Sequence, residues 1–220
     1  MSLAIVTGAN RGIGLSLVKL LRARGDSVVA ACRTSSPALD KLGAEVVEDV
    51  DVTDDEGVAK LVFALRDRDL DLLINNAGIL RPDSLDKLDF EGIHAQFAVN
   101  AVGQLRVTAA LRKHLKRGSK VGFITSRMGS IDDNSSGGYY GYRMSKAALN
   151  MAAKSLAVDL KPAGVAVAIL HPGMVKTDMI RGHGQVEPDD AARGLLARLD
   201  QLTLEATGTF WHASGERLPW

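Results

Sequence analysis

Tyr142 and Lys146 are the residues whose types and spacing best suit acid–base chemistry in this chain of 220 residues. They stand four positions apart in the segment Tyr-Arg-Met-Ser-Lys, so a helix places both side chains on one face. An ammonium beside a phenol lowers the pKa of the phenol, which then becomes a better proton donor near neutral pH. The spacing predicts Tyr142 as a general acid that Lys146 tunes.

Two neighbouring tyrosines are alternatives for the same role. Tyr139 is followed four residues later by Arg143, and Tyr140 by Met144. A guanidinium does not lose its proton and binds hydroxyl groups less compactly than an ammonium. We therefore interpret both tyrosines as loop or core aromatics.

Three glycines near the N-terminus indicate a second kind of chemistry. Gly8, Gly12 and Gly14 lie in the segment Thr7–Gly14, directly after an apolar stretch that begins at residue 3. Glycines between a strand and a helix allow a tight turn and a close approach of a pyrophosphate to the helix N-terminus. The spacing Gly-x3-Gly-x-Gly predicts a dinucleotide-binding turn, although it differs from the commoner G-x-G-x-x-G.

The residues after the next apolar stretch predict the choice of dinucleotide. NAD-selective sites place an acidic residue about twenty positions after the glycines, where it binds the ribose 2′-OH. This chain has Cys32 and Arg33 there, and Arg11 within the glycine turn can approach the same place. Two guanidiniums without a carboxylate favour a 2′-phosphate, and hence NADP(H). Cys32 itself is interpreted as an inert, buried thiol.

The elements that must position these residues follow from alternating short β-branched runs and longer helical patterns. This alternation is typical of a parallel sheet built from βαβ units. We expect strands at Leu3–Thr7, Ser27–Cys32, Glu45–Asp49, Leu70–Asn75, Lys120–Thr125, Val165–Leu170 and Thr207–His212, and helices at 12–24, 54–68, 84–117 (with a break), 140–160 and 188–202. The prediction is one doubly wound α/β domain of the Rossmann type over residues 1–220, with seven parallel strands and helices on both faces. Loops 127–139 and 174–187 follow strands, so they should lie at the ligand-binding carboxyl edge.

Composition narrows the class of protein. The net charge of +1 gives no reason to expect nucleic acid or an anionic membrane as a partner. No apolar run approaches the roughly 20 residues that span a bilayer, and no signal peptide is visible. The single cysteine excludes an internal disulfide and favours a reducing cytoplasm. The five histidines lack metal-ligand spacing, so no metal site is expected; His171 is interpreted as a packed residue at a strand end.

Five motifs, in order along the whole chain, resemble the classical short-chain dehydrogenases/reductases. They are Thr7–Gly14, Asp51-Val52, Asn75-Asn76-Ala77-Gly78, the set Ser126, Tyr142 and Lys146, and Pro172-Gly173-Met174-Val175-Lys176-Thr177. Residues 141–150, residues 170–179 and the final Leu-Pro-Trp are similar to the C-factor/sniffer-like carbonyl reductases within that family. The resemblance implies NADP(H) contacts at Gly8, Asn10, Arg11, Gly12, Ile13, Gly14, Arg33, Asp51, Val52, Asn75, Ala77, Gly78, Tyr142, Lys146, Pro172, Gly173, Val175 and Thr177.

The same resemblance implies the catalytic roles. Tyr142 would protonate the carbonyl oxygen during hydride transfer, and Lys146 would lower the pKa of Tyr142 and hold the nicotinamide ribose. Ser126 would bind the carbonyl oxygen, although Thr125 and Ser130 carry hydroxyl groups nearby. Asn100 would hold a water that links Lys146 to solvent.

The expected activity is NADPH-dependent reduction of a carbonyl compound, or the reverse oxidation of an alcohol. Two alternatives remain open: a non-catalytic NADP-binding signalling or sensor protein, and a reductase of another double bond such as an imine. The resemblance also implies a homodimer or homotetramer through the helices at 93–117 and 140–160.

Overall fold

Seven parallel strands form one sheet in the computed structural model, which describes residues 2–220. The spatial order is β3-β2-β1-β4-β5-β6-β7, and every neighbouring pair is parallel. The strands are β1 Leu3–Thr7, β2 Ser27–Ala31, β3 Glu45–Val47, β4 Leu70–Asn75, β5 Leu115–Ile124, β6 Ala166–His171 and β7 Thr209–His212. This is the doubly wound α/β fold that the sequence predicts.

The helices between the strands cover both faces of the sheet. They are α1 Gly12–Ala23, α2 Pro37–Asp40, α3 Asp55–Leu65, α4 Phe90–Phe97, α5 Gly103–Leu111, α6 Tyr140–Leu160 and α7 Pro188–Asp200. A π-helical segment, Ala98–Val102, joins α4 to α5, and short 3₁₀ turns lie at Arg112–His114, Arg127–Gly129, Lys161–Ala163 and Asp178–Ile180. Of the helices in residues 2–220, none combines the length and apolar character needed to cross a lipid bilayer.

Two hydrophobic cores lie on opposite faces of the sheet. Leu3 and Ile5 of β1 face the core that includes α3, α5 and α6, whereas Ala4 and Val6 face the core that includes α1 and α7. Side chains alternate between the faces of a strand, and a parallel sheet covered on both faces needs apolar residues on both. This explains why the strands read as continuous apolar runs and not as alternating ones.

The strand order places a topological switch point at β1. The chain winds outward from β1 through β2 and β3 on one side, and through β4 to β7 on the other. Ligands of open α/β sheets bind outside the carboxyl ends of the strands at such a point. The glycine turn follows β1 and the segment Asn75–Gly78 follows β4, so both lie there.

The predicted helix at 84–117 differs most from the structure. Its first residues form a turn in which Ser84 and Lys87 pair, and α4 begins only after Asp89, whose carboxylate accepts a hydrogen bond from the N–H of Gly92 at 2.9 Å. Its last three residues belong to β5, which begins at Leu115 and not at Lys120. The first part of β5 is polar, so no hydrophobic pattern reveals it, and it joins β4 through Leu115 before an irregularity that ends at Lys120.

Smaller differences have local causes. The strand predicted to reach Asp49 ends at Val47, and Asp49 has a left-handed backbone with φ of 53°. The helix predicted to reach residue 68 ends at Leu65 because Arg66 has φ of 52°. The one-turn helix α2 was not expected, although Ser36 caps it by accepting from the N–H of Leu39 at 3.2 Å. A serine followed by proline is a recognisable helix start.

Candidate active site

The first turns of α6 bring Tyr142 and Lys146 into the interior at the carboxyl edge of β5. Tyr142 is 8% exposed and Lys146 is 4% exposed. The Lys146 Nζ lies 5.7 Å from the centroid of the Tyr142 ring and donates a hydrogen bond to the carbonyl oxygen of Ile124 at 3.0 Å. An ammonium has three N–H donors, so two remain for other acceptors at this edge.

The pKa of Tyr142 is raised to about 12, and this corrects the direction that the spacing predicts. Burial is the main cause, and the hydrogen bond with Ser126 opposes it. Burial also lowers the pKa of Lys146 to about 8. Both shifts arise because the charged form of a buried group loses hydration. The ammonium contacts the carbonyl oxygen at the end of β5, so it does not offset the burial of the phenol.

Ser126 is the hydroxyl that influences the pKa of Tyr142. Its Oγ also accepts a hydrogen bond from the N–H of Met128 at 3.1 Å, which fixes it at the start of a 3₁₀ turn. The two alternative hydroxyl groups have other partners. Thr125 donates to Asn150 Oδ1 at 2.7 Å, and Ser130 accepts from the N–H of Asp133 at 3.1 Å. The geometry therefore favours Ser126 among the three hydroxyls.

The competing tyrosines do not reach this interior position. Tyr139 has a left-handed backbone with φ of 52° and is 40% exposed, and Tyr140 is only half-buried. Arg143 contacts backbone carbonyl groups of the loop before α6, including Gly138 O at 3.1 Å. Its guanidinium therefore organises that loop.

Asn100 lies in the π-helical segment and is fully buried. Its amide Nδ2 donates to Ile79 O at 2.9 Å and to Ser145 Oγ at 3.0 Å, while its Oδ1 accepts from Ile79 N–H at 2.8 Å. A Cβ built on Gly78 would lie 3.2 Å from Asn100 Oδ1 and 3.7 Å from Lys146 Nζ. Asn100 and Lys146 thus border the same position, and a water between Lys146 and solvent stays a prediction.

The glycine turn is packed against the end of β4. A Cβ on Gly14 would lie 2.1 Å from the carbonyl oxygen of Gly8, and one on Gly8 would lie 2.9 Å from Ala77 Cα. Asn76 donates to Thr7 O at 2.9 Å and to Gly8 O at 3.1 Å, which ties the two strand ends together.

The N-terminus of α1 has the donor set that a pyrophosphate needs. Arg11 stands at the N-cap without a side-chain hydrogen bond to the helix, and the first turn contains no acidic residue. Gly12, Ile13 and Gly14 form this first turn, so their N–H groups and the helix dipole favour an anion there. The residues present therefore fit a dinucleotide.

Arg11 and Arg33 lie near different carboxylates in the structure. Arg11 forms an exposed ion pair with Asp178 at 3.6 Å, on the loop after β6. Arg33 is exposed after β2. The pKa of Asp51 is lowered chiefly by hydrogen bonds from Thr53, and the charge of Arg33 adds to this lowering. Exposed ion pairs contribute little, so Arg11 is free to turn toward another anion.

Two carboxylates that the sequence pattern did not place there lie near the end of β2. Glu48 accepts from Ser35 N–H at 2.6 Å and Asp40 accepts from Ser35 Oγ at 2.5 Å. The pKa of Cys32 is raised, chiefly by burial and then by the charges of these two carboxylates. These two carboxylates lie near Cys32, although the position about twenty residues after the glycines itself holds no acidic residue. Both carboxylates are, however, already hydrogen-bonded to Ser35, and Asn10 fixes the same loop by donating to Thr34 O at 2.8 Å.

The other predicted cofactor residues lie at the same edge, with one difference. Asn75 is fully buried and donates to Thr108 Oγ1 at 2.9 Å, so its side chain points toward α5. Val52 and Val175 are buried, and a Cβ on Gly12 would lie 3.2 Å from Thr177 Cγ2. The turn Pro172-Gly173 begins the loop after β6, and Gly173 has φ of 88°. Thr177 therefore faces the glycine turn across the switch point.

Sequence reasoning missed three buried polar residues that shape this site. Gln96 and Gln104 flank Asn100 at intervals of four residues, and Asn150 contacts both Thr125 and Gly129. The repeated carboxamides at positions 96, 100 and 104 in an otherwise apolar helical stretch are a visible signal. Buried polar residues need specific partners, so this spacing could have been recognised.

Two proteins of known name are similar in sequence over much of the chain. The 1-hydroxy-2-glutathionyl-2-methyl-3-butene dehydrogenase of Rhodococcus sp. (strain AD45) is 42% identical over 226 residues, covering 100% of both chains. The C-signal protein of Myxococcus xanthus is 44% identical over 154 residues, covering 69% of this chain and 93% of that protein.

Solved structures of carbonyl reductases have the same fold over the whole chain. The carbonyl reductase Sniffer of D. melanogaster matches with a TM-score of 0.90 and 30% identity, covering 100% of this chain and 99% of that one. The NADPH-bound carbonyl reductase from chicken fatty liver matches with a TM-score of 0.88 and 30% identity, covering 100% of both chains.

The profile of the short chain dehydrogenase family matches residues 2–187. That span contains β1 to β6 together with the glycine turn, Ser126, Tyr142 and Lys146. With the full-length relatives, this match shows that the chain belongs to the short-chain dehydrogenases/reductases, a family of oxidoreductases, and that it resembles the C-signal and Sniffer-like carbonyl reductases within it.

Proposed function

We propose that this protein is an NADPH-dependent carbonyl reductase, or an alcohol dehydrogenase in the reverse direction, and that residues 1–220 act as one cofactor-binding and catalytic domain. One observation carries the proposal: the buried pair Tyr142 and Lys146 lies at the carboxyl edge of the sheet, next to Ser126, whose hydroxyl opposes the rise in the pKa of the phenol. When bound, the nicotinamide supplies or accepts the hydride.

Tyr142 gives its phenolic proton to the carbonyl oxygen as negative charge develops there. Ser126 donates a hydrogen bond to the same oxygen, and a donor that is already in place stabilises the developing alkoxide. The two free N–H donors of Lys146 hold the ribose hydroxyls, and Asn100 keeps Ser145 and the neighbouring turn of α6 in place. With a pKa of about 12, Tyr142 is fully protonated at neutral pH, which suits reduction. Oxidation needs the phenolate, so its rate should rise as the solution becomes more alkaline.

The glycine turn and the N-terminus of α1 would hold the pyrophosphate through Gly8, Asn10, Gly12, Ile13 and Gly14. We assign Arg33 and Arg11 to the 2′-phosphate, Asp51 and Val52 to the adenine, and Ala77 and Gly78, with the backbone of Asn75, to the passage behind the cofactor. Pro172, Gly173, Val175 and Thr177 would face the nicotinamide carboxamide.

Oxidation of NADPH by the purified protein, with a panel of aldehydes, ketones and quinones, tests this function. Tyr142→Phe keeps the ring but removes the proton donor, so turnover should fall by about 10²–10⁴-fold. NADPH affinity should stay close to the wild type because Lys146 remains. Turnover of the Tyr142→Phe protein near the wild-type rate would contradict the mechanism.

The similarity to the C-signal protein supports a second candidate, a non-catalytic NADP-binding signalling protein. Tight NADPH binding without turnover on the whole panel would favour it. The Rhodococcus relative is named for a 1-hydroxy compound with a glutathionyl group, so the panel should include such an alcohol with NADP⁺.

We also propose a cytoplasmic homo-oligomer. The support is the single, buried cysteine and a set of exposed apolar side chains on α5, α6 and the π-helical segment, namely Val102, Leu105, Met144, Met151 and Val158. Light scattering of the purified chain measures the assembly state.

A further inference from the structure

Three buried carboxamides line one side of the helical stretch from α4 to α5. Gln96 and Asn100 are fully buried, and Gln104 is 1% exposed. They are four residues apart, and the π-helical segment lies between the first and the last. A π turn contains more residues than an α turn, so side chains four apart align more closely than in a regular helix.

These carboxamides bind the backbone of an irregular segment after β4, residues 77–83, which we call the strap. Gln104 donates to Ala77 O, and Asn100 binds both the N–H and the C=O of Ile79. Gln96 does the same with Arg81, accepting from its N–H at 2.9 Å and donating to its C=O at 3.2 Å. Alternate residues of the strap are thus paired as they would be by a neighbouring strand.

The pairing solves a problem of backbone hydrogen bonding. The strap is only partly exposed and has no ladder partner, so those of its N–H and C=O groups that lie away from water need other partners. A carboxamide carries both a donor and an acceptor, so one side chain can pair with both groups of one residue. The three side chains therefore fix the position of the strap along its length.

The far end of the strap holds the N-terminus of α6. Asp83 accepts from Gly141 N–H through Oδ2 at 3.1 Å and from Tyr139 N–H through its backbone oxygen at 3.0 Å. Tyr139, at the N-cap, makes no side-chain hydrogen bond to the helix. The cap of α6 is therefore supplied by the strap, one residue before Tyr142.

Gln96 also contacts this helix directly. A Cβ on Gly141 would lie 2.5 Å from Gln96 Nε2. The first turn of α6 consequently rests on the same carboxamide that binds Arg81. Gln96 therefore supports the turn before Tyr142 in two ways. It fixes the strap that contains Asp83, and it contacts Gly141 directly.

We propose that Gln96 and Asp83 are positioning residues for Tyr142, and that they hold the first turn of α6 at the depth at which the phenol meets Ser126. Neither side chain has a role in the proton transfer itself. The kinetic part of this inference rests on the proposed function, whereas the burial of the phenol does not.

Replacing Gln96 by Met keeps the length of the side chain and removes both hydrogen bonds to Arg81. The first turn of α6 should then move outward and hydrate the phenol. We expect kcat to fall by about 10- to 100-fold, the range for small displacements of catalytic groups, while the dissociation constant for NADPH stays near the wild type. Asp83→Ala should have the same effect, and Asp83→Asn, which keeps an oxygen for Gly141 N–H, should remain close to the wild type.

The ultraviolet absorbance of the phenolate gives a readout that is independent of activity. Subtracting the titration of the matching Tyr142→Phe protein isolates Tyr142 from the other two tyrosines. Burial raises the pKa of Tyr142 to about 12, so Gln96→Met and Asp83→Ala should form this phenolate at lower pH than the wild type.

Ser119→Ala is the control for a loss of stability that does not involve Tyr142. Ser119 is 1% exposed and donates to Leu70 O at 2.6 Å, at the opposite edge of the sheet. This variant should lower the melting temperature without changing the phenolate titration. The inference is overturned if Gln96→Met and Asp83→Ala lower the melting temperature but Tyr142 titrates in both variants at the same pH as in the wild type.

The two proposals fail in different ways. An inactive wild type would remove the proposed function, and the titration alone would then decide the role of Gln96 and Asp83. If Gln96→Met does not fold, Asp83→Ala carries the test, because Asp83 is only half-buried. A normal titration in Asp83→Ala would then contradict the inference.

Discussion

At the scale of single residues, burial decides the acid–base properties of the site. A four-residue spacing brings Lys146 near Tyr142, as expected, but both side chains are enclosed. The pKa of Tyr142 is raised to about 12 and that of Lys146 is lowered to about 8, because each loses hydration of its charged form. Tyr142 therefore carries its proton at neutral pH.

Cofactor choice is also a property of single residues. Replacing Arg33 by Ala should weaken NADPH binding by roughly tenfold to a hundredfold, since hydrogen bonds to charged groups contribute on the order of 1.5–3 kcal/mol. NADH, which has no 2′-phosphate, should bind as it does to the wild type. The ratio of kcat/KM for the two cofactors measures the effect.

Cys32→Asp provides the complementary variant. A carboxylate there would accept from the 2′-OH of NADH and repel a phosphate, so the preference should move toward NADH. A wild type that prefers NADH, or an unchanged ratio in Arg33→Ala, would contradict the assignment of Arg33.

At the scale of elements, the site depends on close contacts between turns and helices. The turn after β1 passes so near the N-terminus of α1 that Gly14 has no room for a side chain. The 3₁₀ turn after β5 is equally close to α6, because a Cβ on Gly129 would lie 2.7 Å from the backbone of Lys146. Ser126 and Lys146 thus keep their relative position through backbone packing.

Gly14→Ala tests the contact in the glycine turn. The new Cβ would lie 2.1 Å from Gly8 O, which is a backbone atom and cannot rotate away. Overpacking of this kind typically costs about 1–3 kcal/mol, so the melting temperature should fall. The displaced turn should also weaken NADPH binding, which calorimetry measures.

Gly25→Ala is the matched control at the other end of α1. Gly25 has φ of 89° and no heavy atom within 4 Å of its Cβ position. The substitution therefore adds only the conformational cost of a left-handed residue, about 1–2 kcal/mol, and should leave NADPH affinity unchanged. Equal NADPH affinities for Gly14→Ala and the wild type would show that the turn does not contact the cofactor.

At the scale of the whole molecule, the strand order gathers segments that are far apart in sequence. β6 and β7 bring His171 and His212 together at the same edge, with ring centroids 5.1 Å apart. The pKa of His171 is lowered to about 3, chiefly by burial and then by the charges of His212, Arg127 and Lys146. His171 is therefore neutral in the folded protein at mildly acidic pH.

This histidine should make global stability depend on pH. Below its ordinary pKa of 6.5, His171 takes up a proton in the unfolded chain but not in the folded one, so the free energy of unfolding falls as the pH falls toward about 3. Between pH 7 and pH 5 the loss should be about 2 kcal/mol. Chemical denaturation at each pH measures it.

His171→Phe should remove this part of the pH dependence. The variant keeps a ring of similar shape, and His171 Nδ1 has no hydrogen-bond partner among the described residues that phenylalanine would forfeit. His183→Gln, at an exposed histidine, serves as the control and should retain the slope of the wild type. Equal slopes in His171→Phe and the wild type would show that His171 is not the group responsible.

The sequence by itself determined the fold class and the order of the elements, and it located the residues to which we assign the chemistry. Apolar runs mark buried parallel strands, and the motifs around Gly12, Ser126 and Tyr142 are contiguous, so local spacing is enough to find them. The pattern also located β1 and β4 with the bounds that the structure has. The pattern did not predict the polar residues of β5 or left-handed positions such as Arg66, since their conformations depend on neighbours distant in sequence.

Only the tertiary structure decided how these residues interact. The direction of the Tyr142 pKa depends on burial by packed elements, and the partner of Arg11 lies on the loop after β6. The bonds from Gln96 to Arg81 and from Asp83 to Gly141 join segments that the chain separates by 15 and 58 positions. Spacing along a sequence defines which side chains share a face, whereas desolvation and long-range hydrogen bonds exist only once the faces are packed together.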